Sequence, residues 1–102
     1  MTNIEHSNKS ESEIILELAL KRGALQFGEF KLSAGGTSSY YFDGRIITLD
    51  PEAGYHVAKA ILPILEECNA QAIAGPTLGA DPIVSAVSVI SHLEGHPVPG
   101  LI

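Results

Sequence analysis

The run Ala72-Ile73-Ala74 breaks into Gly75-Pro76-Thr77-Leu78-Gly79-Ala80-Asp81-Pro82 and then restarts as an apolar helix. Open α/β sheets hold phosphates in this strand, loop, helix arrangement, because N–H groups near a helix start can face an anion. Gly75 and Gly79 allow the turn and a close backbone approach to a ligand. A phosphorylated ligand is therefore the first chemistry to consider. The loop is neither a Walker loop, lacking Gly-Lys-Ser/Thr, nor a Rossmann fingerprint. An ordinary crossover turn accounts for its glycines equally well. Asp81 at the helix start reads as an N-cap rather than a base.

A second constellation occupies residues 33–43. Small and hydroxylated residues, Ser33-Ala34-Gly35-Gly36-Thr37-Ser38-Ser39, lead into Tyr40-Tyr41-Phe42-Asp43. Such a stretch offers backbone donors and a ring face to a planar heterocycle. Strand alternation places Tyr40 and Phe42 on one side and Tyr41 on the other, so at least one ring is expected in the core. Arg45 either positions an anion or pairs with a carboxylate, and surface pairing is the commoner role. The four histidines form no metal site by spacing: His92 and His96 are separated by Gly95 and followed by Pro97, His6 is in the tail and His56 on a helix.

The elements that must position these residues follow from capping and periodicity. Ser10 with Glu13 forms a capping box ahead of Ile14, Ile15, Leu16, Leu18 and Leu20, which predicts a helix to about Arg22 with Gly23 ending it. Leu25, Phe27 and Phe30 around Gly28-Glu29 predict a hairpin-like pair of short strands, and residues 40–43 a further strand. Asp50-Pro51 starts a second helix, expected to reach about Cys68, with Val57, Ala60, Ile61, Ile64 and Leu65 on one face and with Pro63 bending it or interrupting a backbone hydrogen bond. Residues 70–74 read as a strand, 82–93 as a third helix and 98–102 as another strand, a parallel crossover unit. Parallel sheets normally contain more strands and are covered on both faces, and the chain stops within an apolar run at Gly100-Leu101-Ile102. The expectation is the N-terminal part of a longer protein.

The bulk properties narrow the class. A chain of 102 residues, 45% hydrophobic, predicts one small domain with an ample core. Its formal charge of -6 argues against holding nucleic acid or an anionic membrane surface. A phosphate site must also draw cations from elsewhere, since Lys59 and Arg45 are the only Lys and Arg beyond Lys31. Cys68 is the sole cysteine, which excludes an internal disulfide and favours a cytoplasmic setting; a half-buried side chain is expected for it. No run approaches the roughly 18 apolar residues of a membrane span, and the polar N-terminus has no signal-peptide core.

Three ordered segments, Gly23-Ala24-Leu25-Gln26-Phe27-Gly28-Glu29-Phe30-Lys31-Leu32-Ser33, Ser38-Ser39-Tyr40-Tyr41-Phe42-Asp43 and Ala74-Gly75-Pro76-Thr77-Leu78-Gly79-Ala80-Asp81-Pro82, together resemble the N-terminal signatures of orotate phosphoribosyltransferase. The resemblance implies an α/β fold, the N-terminal part of a type I phosphoribosyltransferase: a small hood plus the first strands and helices of a parallel sheet. Residues 1–11 would be a flexible tail and 12–102 an incomplete phosphoribosyltransferase domain. It places Tyr41 and Phe42 along the orotate ring and the loop of residues 33–39 at the pyrimidine end. Leu78 and Gly79 match the loop that receives the diphosphate of 5-phosphoribosyl 1-diphosphate. Gln26 falls where many members carry a donor-contacting Lys, and Gly79 where some carry another.

The implied reaction of the complete protein transfers the 5-phosphoribosyl group to orotate, giving orotidine 5'-monophosphate and diphosphate in de novo pyrimidine (UMP) biosynthesis. The resemblance also implies Mg2+ bound with the diphosphate substrate, and a homodimer. Family members continue with an Arg-Lys-rich mobile loop, paired acidic residues and a Thr/Gly-rich phosphate cradle. Catalytic residues are thus expected beyond Ile102, and this chain alone is expected to be inactive. Two rivals stand beside this reading: a noncatalytic relative binding a nucleobase or ribose phosphate, and a small α/β interaction module.

Overall fold

The computed structural model describes residues 9–102. Most of the expected tail, His6 included, lies outside the described residues. Helix α1, Glu11–Lys21, starts where Ser10 Oγ accepts the Glu13 N–H at 3.2 Å, and buries Ile14, Leu18 and Ala19. Arg22 caps its C-terminus and Gly23 follows at a φ of 77°, the left-handed turn expected of it.

The next segment departs from expectation. Instead of turning at Gly28-Glu29, the chain runs through as one strand, β1 (Leu25–Lys31), antiparallel to β2 (Thr37–Phe42). The register shifts between Phe27 and Phe30. A bulge absorbs the Gly-Glu pair while the ladder continues, which a turn signal alone does not distinguish from a hairpin. The true turn lies at residues 32–36, and β2 begins at Thr37, three residues before the expected strand.

A short helix, α2 (Gly44–Thr48), was not foreseen; Asp43 caps it by accepting the Arg45 N–H at 3.1 Å. Helix α3, Pro51–Glu67, begins as expected, with Asp50 accepting the Ala53 N–H at 2.8 Å, and is continuous through Pro63. Its buried row is Ala53, Gly54, Ala58 and Leu62, whereas Ile64, expected on the apolar face, is exposed. Cys68 is also exposed rather than half-buried. Strand β3 (Ile73–Ala74) and strand β4 (Gly100–Leu101) are shorter than expected but pair in parallel, Ile73 with Gly100 and Ala74 with Leu101. Between them lies α4, Asp81–Leu93. Its N-cap is Ala80, which makes no side-chain cap bond, so Asp81 is the first helical residue and not the cap. Among the described residues no helix is long and apolar enough to cross a membrane.

Two cores result. Ile14, Leu18, Ala19, Ala24, Ile47 and Ala53 join α1 and α2 to the start of α3. Ala58, Leu62 and Val87 join the rest of α3 to α4, with Ile73 packed against them. Arg22 stitches α1 to α3, donating through Nε to Asp50 at 3.0 Å and through Nη2 to Glu52 at 2.9 Å. Buried Ser91 holds the approach to β4: its Oγ accepts the Val98 N–H at 2.8 Å and donates to the Ser88 carbonyl at 2.6 Å. Gly100 is required by close packing, because a Cβ there would stand 2.6 Å from Val84 Cγ1.

Gly100→Ala is expected to lower stability by about 1–3 kcal/mol through overpacking, seen as a lower denaturant midpoint at unchanged slope. The Asp50 carboxyl is held below the ordinary aspartate value of 3.8 by the Ala53 N–H and then by Arg22. Its contribution is therefore present above 3.8 and lost as pH falls through the depressed folded value. Unfolding measured against pH should show Asp50→Asn less stable than wild type near neutrality, with the gap closing in acid. A gap independent of pH would contradict the pairing.

Candidate functional site

The hairpin carries three of the residues singled out from sequence. Gln26 stands directly across from Tyr41, and Leu25 across from Phe42. Side chains of a directly opposed pair share a face, so Gln26 and Tyr41 project from one side and Phe42 from the other. Gln26 Nε2 donates to the Gly23 carbonyl at 3.0 Å, which anchors its amide at the base of the strand. The Tyr41 ring packs on Phe30, with centroids 5.8 Å apart and planes inclined at 38°.

At least one ring was expected in the core; none is there. Tyr40, Tyr41 and Phe42 are 54%, 49% and 54% exposed. Among the described residues these rings stay uncovered, and alternation along a strand assigns faces without saying whether either face is covered. The exposed rings offer apolar surface on both faces of the hairpin, Tyr41 on one and Tyr40 and Phe42 on the other.

Leu78 and Gly79 stand on a different element, the turn between β3 and α4. Leu78 is 79% exposed and Gly79 is exposed as well. The Thr77–Leu78 peptide is cis. The turn closes on itself, with the Ala80 N–H donating to Pro76 at 3.0 Å and the Asp81 N–H to Leu78 at 3.1 Å. The N–H groups of Thr77, Leu78 and Gly79 donate to no group among the described residues, leaving consecutive donors for an anion. Gly75 is needed for a reason the sequence did not reveal: a Cβ there would lie 2.6 Å from Ala80 Cβ, so the glycine serves the turn's own packing.

Four of the six basic side chains are already committed to carboxylates. Arg45 Nε and Nη2 donate to Asp43 Oδ1 and Oδ2 at 3.3 and 3.4 Å, the carboxylate pairing expected for it. Arg22 pairs with Asp50 and Glu52, Lys9 with Glu17, and Lys59 with Glu94. His56 Nδ1 lies 2.5 Å from Glu11 Oε2, joining α3 to α1 rather than entering a site. Among the described residues no three or more His, Cys, Asp or Glu groups converge to hold a metal ion. Asp43 escaped the sequence reading as a functional candidate; its signal was an N-cap residue two positions before Arg45-Ile46-Ile47, directly behind the aromatic pair.

The Asp43 carboxyl is held below its ordinary value of 3.8 by the Arg45 guanidinium and then by the Arg45 N–H. Arg45→Ala is expected to raise the Asp43 midpoint toward 3.8, observable in a carboxyl-carbon NMR titration. An unmoved midpoint would show that the two side chains do not pair in solution.

No family model matches the chain. It is 44% identical over 90 residues to orotate phosphoribosyltransferase of Nostoc sp., covering 88% of this chain and 41% of the relative. With the enzyme of the same name from Aquifex aeolicus it shares 41% identity over 90 residues, covering 86% and 49%. Among solved structures, Mycobacterium tuberculosis orotate phosphoribosyltransferase in complex with inorganic phosphate superposes with a TM-score of 0.71 at 28% identity, covering 88% of this chain and 51% of that one. Leishmania donovani UMP synthase superposes with a TM-score of 0.67 at 28% identity, covering 81% and 18%. The chain thus spans less than half the length of these two curated relatives. In sequence and in its type I phosphoribosyltransferase fold, the chain is similar to orotate phosphoribosyltransferases, as a segment matching part of their length.

Proposed function

We propose that the protein to which this segment belongs transfers the 5-phosphoribosyl group of 5-phosphoribosyl 1-diphosphate to orotate, in de novo pyrimidine biosynthesis. The observation that carries this reading is the 44% identity over 90 residues to an orotate phosphoribosyltransferase. In the reaction a ring nitrogen of orotate forms the bond to ribose C1 while the C1–O bond to diphosphate breaks. The electron pair leaves with the diphosphate, giving orotidine 5'-monophosphate. Positive charge develops on the ribose and negative charge on the leaving group, so positioning and charge stabilisation supply most of the catalysis.

In this reading Tyr41 and Phe42 hold the orotate ring, and Gln26, Leu78 and Gly79 face the phosphoribosyl donor. The direct opposition of Gln26 and Tyr41 supports it, since donor and acceptor must meet and these two positions share one face. The free N–H groups of residues 77–79 suit the diphosphate. Mg2+ in this reading arrives as part of the diphosphate substrate, since Mg2+ is commonly held by substrate phosphates with only one or two carboxylates. Four of the six basic residues are already paired with carboxylates, so in this reading the donor draws most of its cations from outside the segment, and the segment alone is read as inactive. We further read the whole protein as a cytoplasmic homodimer that binds neither nucleic acid nor membrane.

Product formation from orotate, 5-phosphoribosyl 1-diphosphate and Mg2+ by the full-length protein tests the assignment. Turnover of a purine base in place of orotate would overturn it, and so would binding of either substrate with no turnover. Tyr41→Ala and Phe42→Ala are each expected to raise KM for orotate about threefold to tenfold, the scale of an aromatic stacking contact, with the donor KM much less affected. Unchanged orotate KM in both variants would remove the rings from the site.

A further inference from the structure

Asp43 sits where the end of β2, the start of α2 and the base of the hairpin meet. Its backbone N–H donates to the Ala24 carbonyl at 2.8 Å, one step beyond the pairing of Leu25 with Phe42, and so closes the ladder behind the aromatic pair. Its Oδ1 accepts both the Arg45 N–H at 3.1 Å and Arg45 Nε at 3.3 Å, while Oδ2 receives Nη2 at 3.4 Å. Arg45 is largely exposed, with 77% of its side chain accessible, so the fork adds little to global stability. What it restrains is local: the turn from an extended residue at 43 into a helix at 44. The Phe42 ring rests on that turn, its Cε2 lying 3.4 Å from where a Cβ on Gly44 would stand.

Resting on the reading that the Tyr41-Phe42 pair receives the pyrimidine, we infer that Asp43 is a positioning residue for orotate. With Arg45 it fixes the junction between β2 and α2 and thereby the placement of both rings. The rings are exposed and no core packing holds them, so their order depends on the backbone that carries them. An aromatic platform that is already in place binds a flat ligand without first losing rotamer freedom.

Steady-state kinetics of the full-length protein carrying Asp43→Ala, Asp43→Asn or Arg45→Ala provide the test, with thermal unfolding recorded for each. Asp43→Ala is expected to raise KM for orotate roughly fivefold, the scale of a lost N-cap, while KM for the sugar donor stays at the wild-type value. Asp43→Asn keeps an oxygen at the Oδ1 position and is expected to recover to within about twofold of wild type. Arg45→Ala, which leaves the backbone cap intact, should shift orotate in the same direction by about twofold. A purely structural role predicts a lower unfolding temperature and less active protein at unchanged orotate KM; that outcome, or equal rises for both substrates, overturns the inference. Wild-type protein that does not consume orotate overturns the functional reading instead, which keeps the two failures distinct. Should Asp43→Ala fail to fold, an unchanged orotate KM in Arg45→Ala is sufficient to reject the role.

Discussion

The structure depends on the close approach of its neighbours to the small-residue face of α3. Ala53 and Ala58 have no exposed surface and Gly54 is buried, so α1 and α2 seat at one end of the helix and α4 farther along. Because both cores share this one helix, the hairpin and the β3-to-α4 turn are referred to a common rigid element, and Pro82 beside that turn lines the same cavity as Thr48, Leu49, Asp50 and Pro51 at the start of α3. Larger side chains along this face would separate the helices and leave uncompensated voids, since protein interiors are packed to crystal-like density. Polar contacts at the helix start then choose among packed arrangements: Asp50 caps α3 and, through Arg22, fixes where α1 ends.

The hairpin has a different physical status. Phe27, Leu32, Tyr40, Tyr41 and Phe42 are exposed, so little of its apolar surface stabilises the fold. A two-stranded ribbon is marginal by itself. Its hold on the body is at the base, where Ala24 is buried and its carbonyl accepts the Asp43 N–H. A platform anchored at one end and exposed along its length is well suited to binding and poorly suited to structural support. The turn at residues 75–80 is built in the opposite way, with its glycine consumed by packing and its later N–H groups by the turn itself, leaving three donors outward.

A net charge of -6 and the proposed diphosphate-binding role are compatible through division of labour. The basic side chains that pair within the segment hold elements together, as Arg22 and Lys59 do, or order a junction, as Arg45 does. Backbone N–H groups at residues 77–79 are what the β3-to-α4 turn presents to an anion.

Sequence alone determined the features that depend on neighbouring residues. Ser10, Asp50-Pro51 and Gly23 marked helix ends because capping is a local hydrogen-bond and dihedral matter. The parallel relation of β3 and β4 followed from a crossover helix of ordinary length between them. The three segments that carry the family resemblance were legible for the same reason, as short strings with a fixed order. Only the tertiary structure decided the rest. Whether Gly28-Glu29 turns or bulges depends on the partner strand, and which side of α3 is buried depends on what packs against it. That all three rings stay outside the core, that Gly75 answers to Ala80, and that the Asp43 N–H meets the Ala24 carbonyl are facts of contact between residues whose separation in sequence says nothing about their distance. Propensity and periodicity report what a residue favours along the chain; burial and register are set by what meets it across space.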